Sequence, residues 1–213
     1  VVDGDGTQDH KNNSIVNSAT VAGLQDSACY DFDGSTSNIV TTEIPAMDNF
    51  TLSWWMKWDD FDNGSDQFIF SEGAGLFEVQ TMTANKLRLM PVGSATGYRQ
   101  DVSTAIPDAG WHHYTLSYTK GSDYKFYRDG VFIITKDISG ETAVGSTAGP
   151  LNIGHRYDGN YHFDGAIRGV TIHPSALSAG DIRKLYGGEN PKKNNDVQLL
   201  ANGGPSFSAT TGW

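Results

Sequence analysis

Apolar and polar residues alternate along most of this chain with a period of two, the spacing of a strand that buries one face. The clearest run is Phe50–Trp58. Phe50, Leu52, Trp54, Met56 and Trp58 fall on one side, and Thr51, Ser53, Trp55 and Lys57 on the other. One of the two adjacent indoles, Trp54 or Trp55, therefore belongs to the core, and the other lies on the open sheet face or is covered by the polar lead-in. A second strong strand spans Trp111–Thr119, where Tyr114, Leu116 and Tyr118 alternate with His113, Thr115 and Ser117. A hairpin follows: Tyr124–Arg128 meets Val131–Thr135 across Asp129-Gly130, the pair that supplies two positive-φ residues to a type I′ turn. Shorter strands are predicted at 28–33, 37–43, 67–71, 75–81, 86–92, 97–102, 150–155 and 161–173.

One short helix is expected near the C-terminal end. Ser178 and Asp181 form a capping box, Ile182, Leu185 and Tyr186 an apolar stripe, and Gly187 a left-handed stop. A helix of about two turns must dock on the sandwich to persist. Residues 1–27 are polar and rich in Gly, Asn and Ser, and read as an extended lead-in with one edge strand around Ser14–Val21. The Pro-punctuated stretch 189–196 reads as a linker. The domain is thus placed at 1–188, and 197–213 is either a tail or the first strand of a following β-sandwich module. The fold class is all-β: a two-sheet antiparallel sandwich with one short helix.

Composition narrows the function. The 213 residues carry a formal charge of −10, and the largest basic cluster is the pair Lys192-Lys193. A field of this sign repels phosphate backbones, so nucleic acid is excluded as a partner. No run approaches the 18 apolar residues of a membrane span, so no membrane insertion is expected. The single cysteine, Cys29, forbids an internal disulfide and reads as a small buried strand residue. A secreted animal domain of this size would often carry disulfides, which points to a bacterial or viral source.

Several segments share the motif order of one family. They are Tyr30-Asp31-Phe32-Asp33-Gly34-Ser35, Phe50–Lys57, Trp111-His112-His113-Tyr114, Phe126-Tyr127-Arg128-Asp129-Gly130-Val131, Leu151-Asn152-Ile153-Gly154, Phe163-Asp164-Gly165 and Ala176-Leu177-Ser178. Over roughly residues 9–186 the chain resembles the laminin-G-like, concanavalin-A-like jelly rolls of bacterial and phage surface proteins. The resemblance implies an antiparallel two-sheet sandwich that binds carbohydrate, glycoprotein or partner domains, in some members with calcium. The C-terminal Leu199–Gly204 and Thr211–Trp213 resemble the opening of a second carbohydrate-binding sandwich.

The calcium candidates are Asp33, Asn38 and Asp164. The resemblance argues against such a site: Asn38 stands where an acidic residue is usual, and Arg168-Gly169 replaces an acidic pair, bringing a positive charge toward a cation. No cofactor is therefore expected, and calcium is not favoured. Catalysis is not expected either. A glycosidase needs paired carboxylates on one strand, whereas Glu43, Glu72, Glu78, Glu141 and Glu189 are scattered and no Gly-x-Ser-x-Gly elbow occurs. His112 and His113 are neighbours on a strand and point to opposite faces. His155 and His162 flank a loop and face each other.

That loop, His155-Arg156-Tyr157-Asp158-Gly159-Asn160-Tyr161-His162, carries the mixture a sugar site needs. Tyr157 and Tyr161 supply a stacking platform, and Arg156, Asp158, Asn160 and His162 supply hydrogen-bonding groups on the sandwich rim. A second candidate is the segment Trp58-Asp59-Asp60-Phe61-Asp62-Asn63, with Trp58 and Asp59 leading it. The resulting expectation is a recognition or adhesion module that binds a carbohydrate or glycoprotein surface, within a multidomain extracellular, cell-surface or virion-surface protein. One alternative is a structural decoration domain that packs against sister subunits. The other is a diverged polysaccharide-active enzyme.

Overall fold

The computed structural model of the chain describes residues 5–8, 14–16, 19–22, 28–44, 46–59, 66–73, 77–83, 85–90, 99–103, 108–140, 149–187 and 197–198. Its elements in chain order begin with β1 (Asp5–Gln8), β2 (Ser14–Val16), β3 (Ala19–Ala22), β4 (Ala28–Asp33), β5 (Asn38–Ile44) and β6 (Asn49–Trp58). Next come β7 (Gln67–Glu72), β8 (Phe77–Met82), β9 (Lys86–Met90), β10 (Gln100–Val102), β11 (His112–Thr119) and β12 (Asp123–Arg128). The last are β13 (Val131–Asp137), β14 (Gly149–Ile153), β15 (Asp164–His173), α1 (Ala179–Tyr186) and β16 (Val197–Gln198).

Two eight-stranded sheets result. The first runs β1-β2-β5-β14-β7-β8-β9-β10 and the second β13-β12-β11-β6-β15-β4-β3, with β16 added beside β15. All the described pairings are antiparallel. Chain neighbours often lie in different sheets, the crossing pattern of a jelly roll.

The core lies between the sheets and is largely aromatic. Trp54 is fully buried and meets Phe70 of the opposite sheet edge-on, with ring centroids 5.0 Å apart. Phe50 meets Phe77 in the same way at 5.5 Å. Tyr114 stacks between Trp54 and Phe126, at 5.6 and 6.0 Å. Edge-on and offset contacts of this kind add to the roughly 2–3 kcal/mol that burying each large ring contributes. Trp55 takes the outer face, as the alternation requires.

The outer face of the second sheet is covered by the segment that leads into α1. Thr51 Oγ1 donates to the Ser175 carbonyl and accepts the Leu177 N–H, both at 2.9 Å. Leu177, Ile182 and Leu185 then pack on Tyr127. Ser178 caps the helix as expected, its Oγ accepting the Asp181 N–H at 3.2 Å.

Some expectations change. Gly187 sits at φ −70°, not in the left-handed region, and its N–H bonds back to Arg183 O in an ordinary helical exit. The single edge strand expected at 14–21 is two strands, because β2 finds the β5 edge of one sheet and β3 the β4 edge of the other. The Asp129-Gly130 turn has the expected positive φ at both residues, 51° and 73°. The expected linker at 189–196 and the residues from Leu199 onward lie outside the described residues. Val197–Gln198 pairs with Thr171–Ile172.

Candidate functional site: the rim loop from Gly154 to Phe163

β14 ends at Ile153, and the chain turns before entering β15 at Asp164. Backbone hydrogen bonds fasten this loop to β7 and close it at its base. Gly154 N–H donates to Ile69 O, Phe68 N–H to Tyr161 O, and Phe163 N–H to Gly154 O, at 2.9, 2.9 and 2.8 Å. At its tip the Gly159 N–H donates to Arg156 O at 2.9 Å, closing a turn in which Gly159 takes φ 79°. Tyr161 also takes a positive φ, 57°, an uncommon setting for a bulky residue that the surrounding bonds enforce. The Tyr157 N–H donates to Ser71 Oγ at 3.1 Å, and Asp158 Oδ1 accepts the Asn160 N–H at 3.2 Å.

Arg156 organises the side chains. Its Cζ lies 5.0 Å from the Tyr157 ring centroid, 5.5 Å from Phe68 and 5.7 Å from Tyr161. Its Nε is 3.6 Å from Glu78 Oε1 and its Nη1 is 3.5 Å from Asp158 Oδ2. The Glu78 contact is an ion pair longer than a hydrogen bond, since Oε1 has no hydrogen-bond partner. Burial pushes the Glu78 carboxyl above its usual range, and the nearby Arg156 charge opposes that rise. Tyr157 and Tyr161 nevertheless stay 38% and 51% exposed.

The structure therefore brings Arg156, Tyr157, Asp158, Asn160 and Tyr161 together on one rim. His162 holds the loop from below, its ring nitrogens facing Ser37 O at 3.3 Å and Gly159 O at 3.2 Å. His155 and His162 do face each other, stacked with centroids 5.7 Å apart and planes 17° apart. Stacked rings present faces rather than nitrogens to one another, which is the wrong arrangement for a shared ion. Burial, followed by the neighbouring His162, lowers the affinity of His155 for a proton.

Of the second candidate, residues 60–63 lie outside the described residues, and Trp58 does not reach the surface. Trp58 is 1% exposed, packs in the core and donates its indole N–H to Gln67 Oε1 at 3.0 Å. Its place on the buried side of β6 removes it from the ligand candidates. Asp59 is exposed and pairs with Lys57.

The calcium candidates fit an ion poorly. Asp33 Oδ1 accepts the N–H groups of Ser35, Thr36 and Ser37 at 2.8–2.9 Å, and Oδ2 accepts the Thr36 hydroxyl at 2.8 Å. Partial burial pushes this carboxyl up, but the four bonds outweigh it and hold the group far below its usual range. Its oxygens are thus committed to the turn. The Asn38 amide donates to Thr36 O at 3.0 Å, and Asp164 packs its side chain over Gly34. Among the described residues, no cluster of three or more His, Cys, Asp or Glu could hold a metal.

Phe68, Ser71 and Glu78 escaped the sequence reading. Phe77 and Val79 face the core, so strand alternation turns Glu78 to the outer face. Phe68 pairs with Gln80, and a bulge before Phe70 puts it on that face too. The alternation was readable for Glu78. Nothing in the sequence signalled that the 154–163 loop folds over it.

The fold is shared with proteins of known structure. Domain 4 of the extracellular GH43 arabinanase AbnA from Geobacillus stearothermophilus, solved with arabinotriose, is 18% identical, with a TM-score of 0.61 over 79% of this chain and 81% of that one. The SAP-like pentraxin of Limulus polyphemus is 16% identical, with a TM-score of 0.61 over 80% and 94%. The binding domain of botulinum neurotoxin DC, solved with rat synaptotagmin II, is 13% identical, with a TM-score of 0.62 over 84% of this chain. This chain spans about half of that neurotoxin domain, 48%. At such identities the likeness is one of fold. No curated protein matches the chain by sequence. The model of one family does match, over residues 33–183, from the Asp33 turn through the sandwich into α1. This chain belongs to that family, the concanavalin A-like lectin/glucanases superfamily.

Proposed function

We propose that this chain is a non-catalytic carbohydrate-recognition module and that the rim loop from His155 to His162 is its ligand platform. One observation carries the reading: Tyr157 and Tyr161 keep exposed rings although the backbone, Arg156 and Phe68 hold them in place. Aromatic rings held still and half exposed stack on the apolar face of a sugar at small entropic cost. Asp158 and Asn160 lie beside them to meet hydroxyl groups. The arabinotriose complex of the AbnA domain supports a sugar ligand for this fold.

Catalysis is not part of the proposal. Glu78, a buried carboxyl at the site, is 4% exposed beneath Arg156 and is not placed to protonate a glycosidic oxygen. We also propose that the module belongs to a multidomain protein outside the cytoplasm, a reading the extracellular arabinanase supports, while a virion surface rests on the sequence resemblance alone.

The test is a soluble glycan array followed by calorimetry. At least one oligosaccharide is retained, and Tyr157→Ala and Tyr161→Ala each weaken it about tenfold or more while the melting temperature stays near wild type. Release of reducing ends would favour an enzyme. Retention of no glycan, together with self-association in light scattering, would favour a structural domain.

A further inference from the structure

Arg156 looks like a receptor for anions, yet its charge is used up inside the protein. Two carboxylates, Glu78 and Asp158, lie 3.6 and 3.5 Å from its nitrogens. Three aromatic rings lie within 5.0–5.7 Å of its Cζ. The next cation along the same sheet face is Arg88, which pairs across β8 and β9 with Gln80. It too is consumed, by a two-pronged contact with Asp101 at 2.7 and 2.9 Å. A forked pair of this kind leaves little free charge for a ligand. Asp158, meanwhile, is about one-third exposed and faces the rim as an acceptor.

Resting on the carbohydrate reading above, we propose that this site selects uncharged, hydroxyl-rich sugars and rejects uronates, sialylated and sulfated chains. The physical reason is local charge. Arg156 contributes one positive charge against the two carboxylates that bracket it, within a chain of net charge −10. Sugar hydroxyls donate to Asp158. A ligand carboxylate or sulfate brings only acceptors and a charge that Asp158 and Glu78 repel. Arg156 is therefore a positioning residue for Tyr157 and Tyr161 rather than an anion receptor.

The experiment compares hexasaccharides of glucose, mannose and galactose, each beside its C6-oxidised uronate counterpart, by calorimetry at low and high salt. The expected result is about tenfold or stronger preference for a neutral chain at low ionic strength, shrinking as salt screens the repulsion. Asp158→Asn narrows the preference, because the amide keeps an oxygen for the Asn160 N–H while losing the charge. Circular dichroism verifies that this variant is folded. Equal or tighter binding of a uronate overturns the proposal, and so does a preference that neither salt nor Asp158→Asn alters. If no chain of either charge binds, the carbohydrate reading itself falls. If the neutral chains bind but without discrimination, only the charge argument does.

Discussion

The His113 ring lies 5.2 Å from the Trp55 ring on the outer face of the second sheet, with Tyr186 of α1 closing over both. Burial there drives the His113 imidazole from its ordinary 6.5 down to about 4, only partly countered by Asp129. Above pH 6.5 the ring is neutral both folded and unfolded, so stability is complete. As pH falls from 6.5 toward about 4 the unfolded chain binds the proton first, and stability drains away by up to about 3 kcal/mol. His155 adds to the loss in the same direction. His113→Phe keeps a ring and cannot take the proton. Thermal melts between pH 7.5 and 4.5 should show a shallower fall for this variant, and parallel curves would refute the assignment.

Thr51 links the sheet to the helix. Replacing it with Val keeps the shape but leaves the buried Leu177 N–H without its acceptor. An unsatisfied buried donor costs about 1–3 kcal/mol. Denaturant titration should show that loss. Hydrogen exchange should show the 174–187 segment opening before the sandwich does.

Two glycines of the rim loop, both at positive φ, differ sharply in surroundings. A Cβ on Gly154 would run into the Phe32 ring, which is buried, whereas a Cβ on Gly159 meets nothing within 4 Å. Gly154→Ala is expected to cost roughly 3 kcal/mol or more, from overpacking added to backbone strain. Gly159→Ala carries only the strain, about 1 kcal/mol. Comparing the two melting temperatures checks the ranking.

Asp33 holds its turn through its own hydrogen bonds to Ser35, Thr36 and Ser37. Asp33→Ala should cost about 1–2 kcal/mol, by analogy with the loss of a helix cap. Because the folded carboxyl titrates far below its ordinary 3.8, its contribution is present above that pH and vanishes as acid protonates it. Adding millimolar calcium, or EDTA, should move the wild-type melting temperature by less than about 1 °C. A larger calcium-dependent rise would restore the metal reading.

Much of the sandwich was legible because strand alternation is a local signal. Phe50, Leu52, Trp54, Met56 and Trp58 are buried where the period of two put them. The Asp129-Gly130 turn and the Ser178 cap are equally local, each resting on a few adjacent residues. The candidate rim was half legible. Tyr157, Asp158, Asn160 and Tyr161 stood together in sequence, but Trp58, part of the second candidate, lies in the core. Its burial follows from the same alternation, which had placed it beside Met56 and Trp54.

The sequence by itself determined which strand residues face the core and where the Asp129-Gly130 turn falls. Those properties depend on neighbours one to four positions apart. Only the tertiary structure decided that Arg156 would lie over Phe68 from β7 and against Glu78 from β8, about 80 residues earlier in the chain. Pairings between strands so far apart are set by the packing of whole sheets, and no local period encodes them. That packing sets the loop's one arginine between two carboxylates, Glu78 and Asp158.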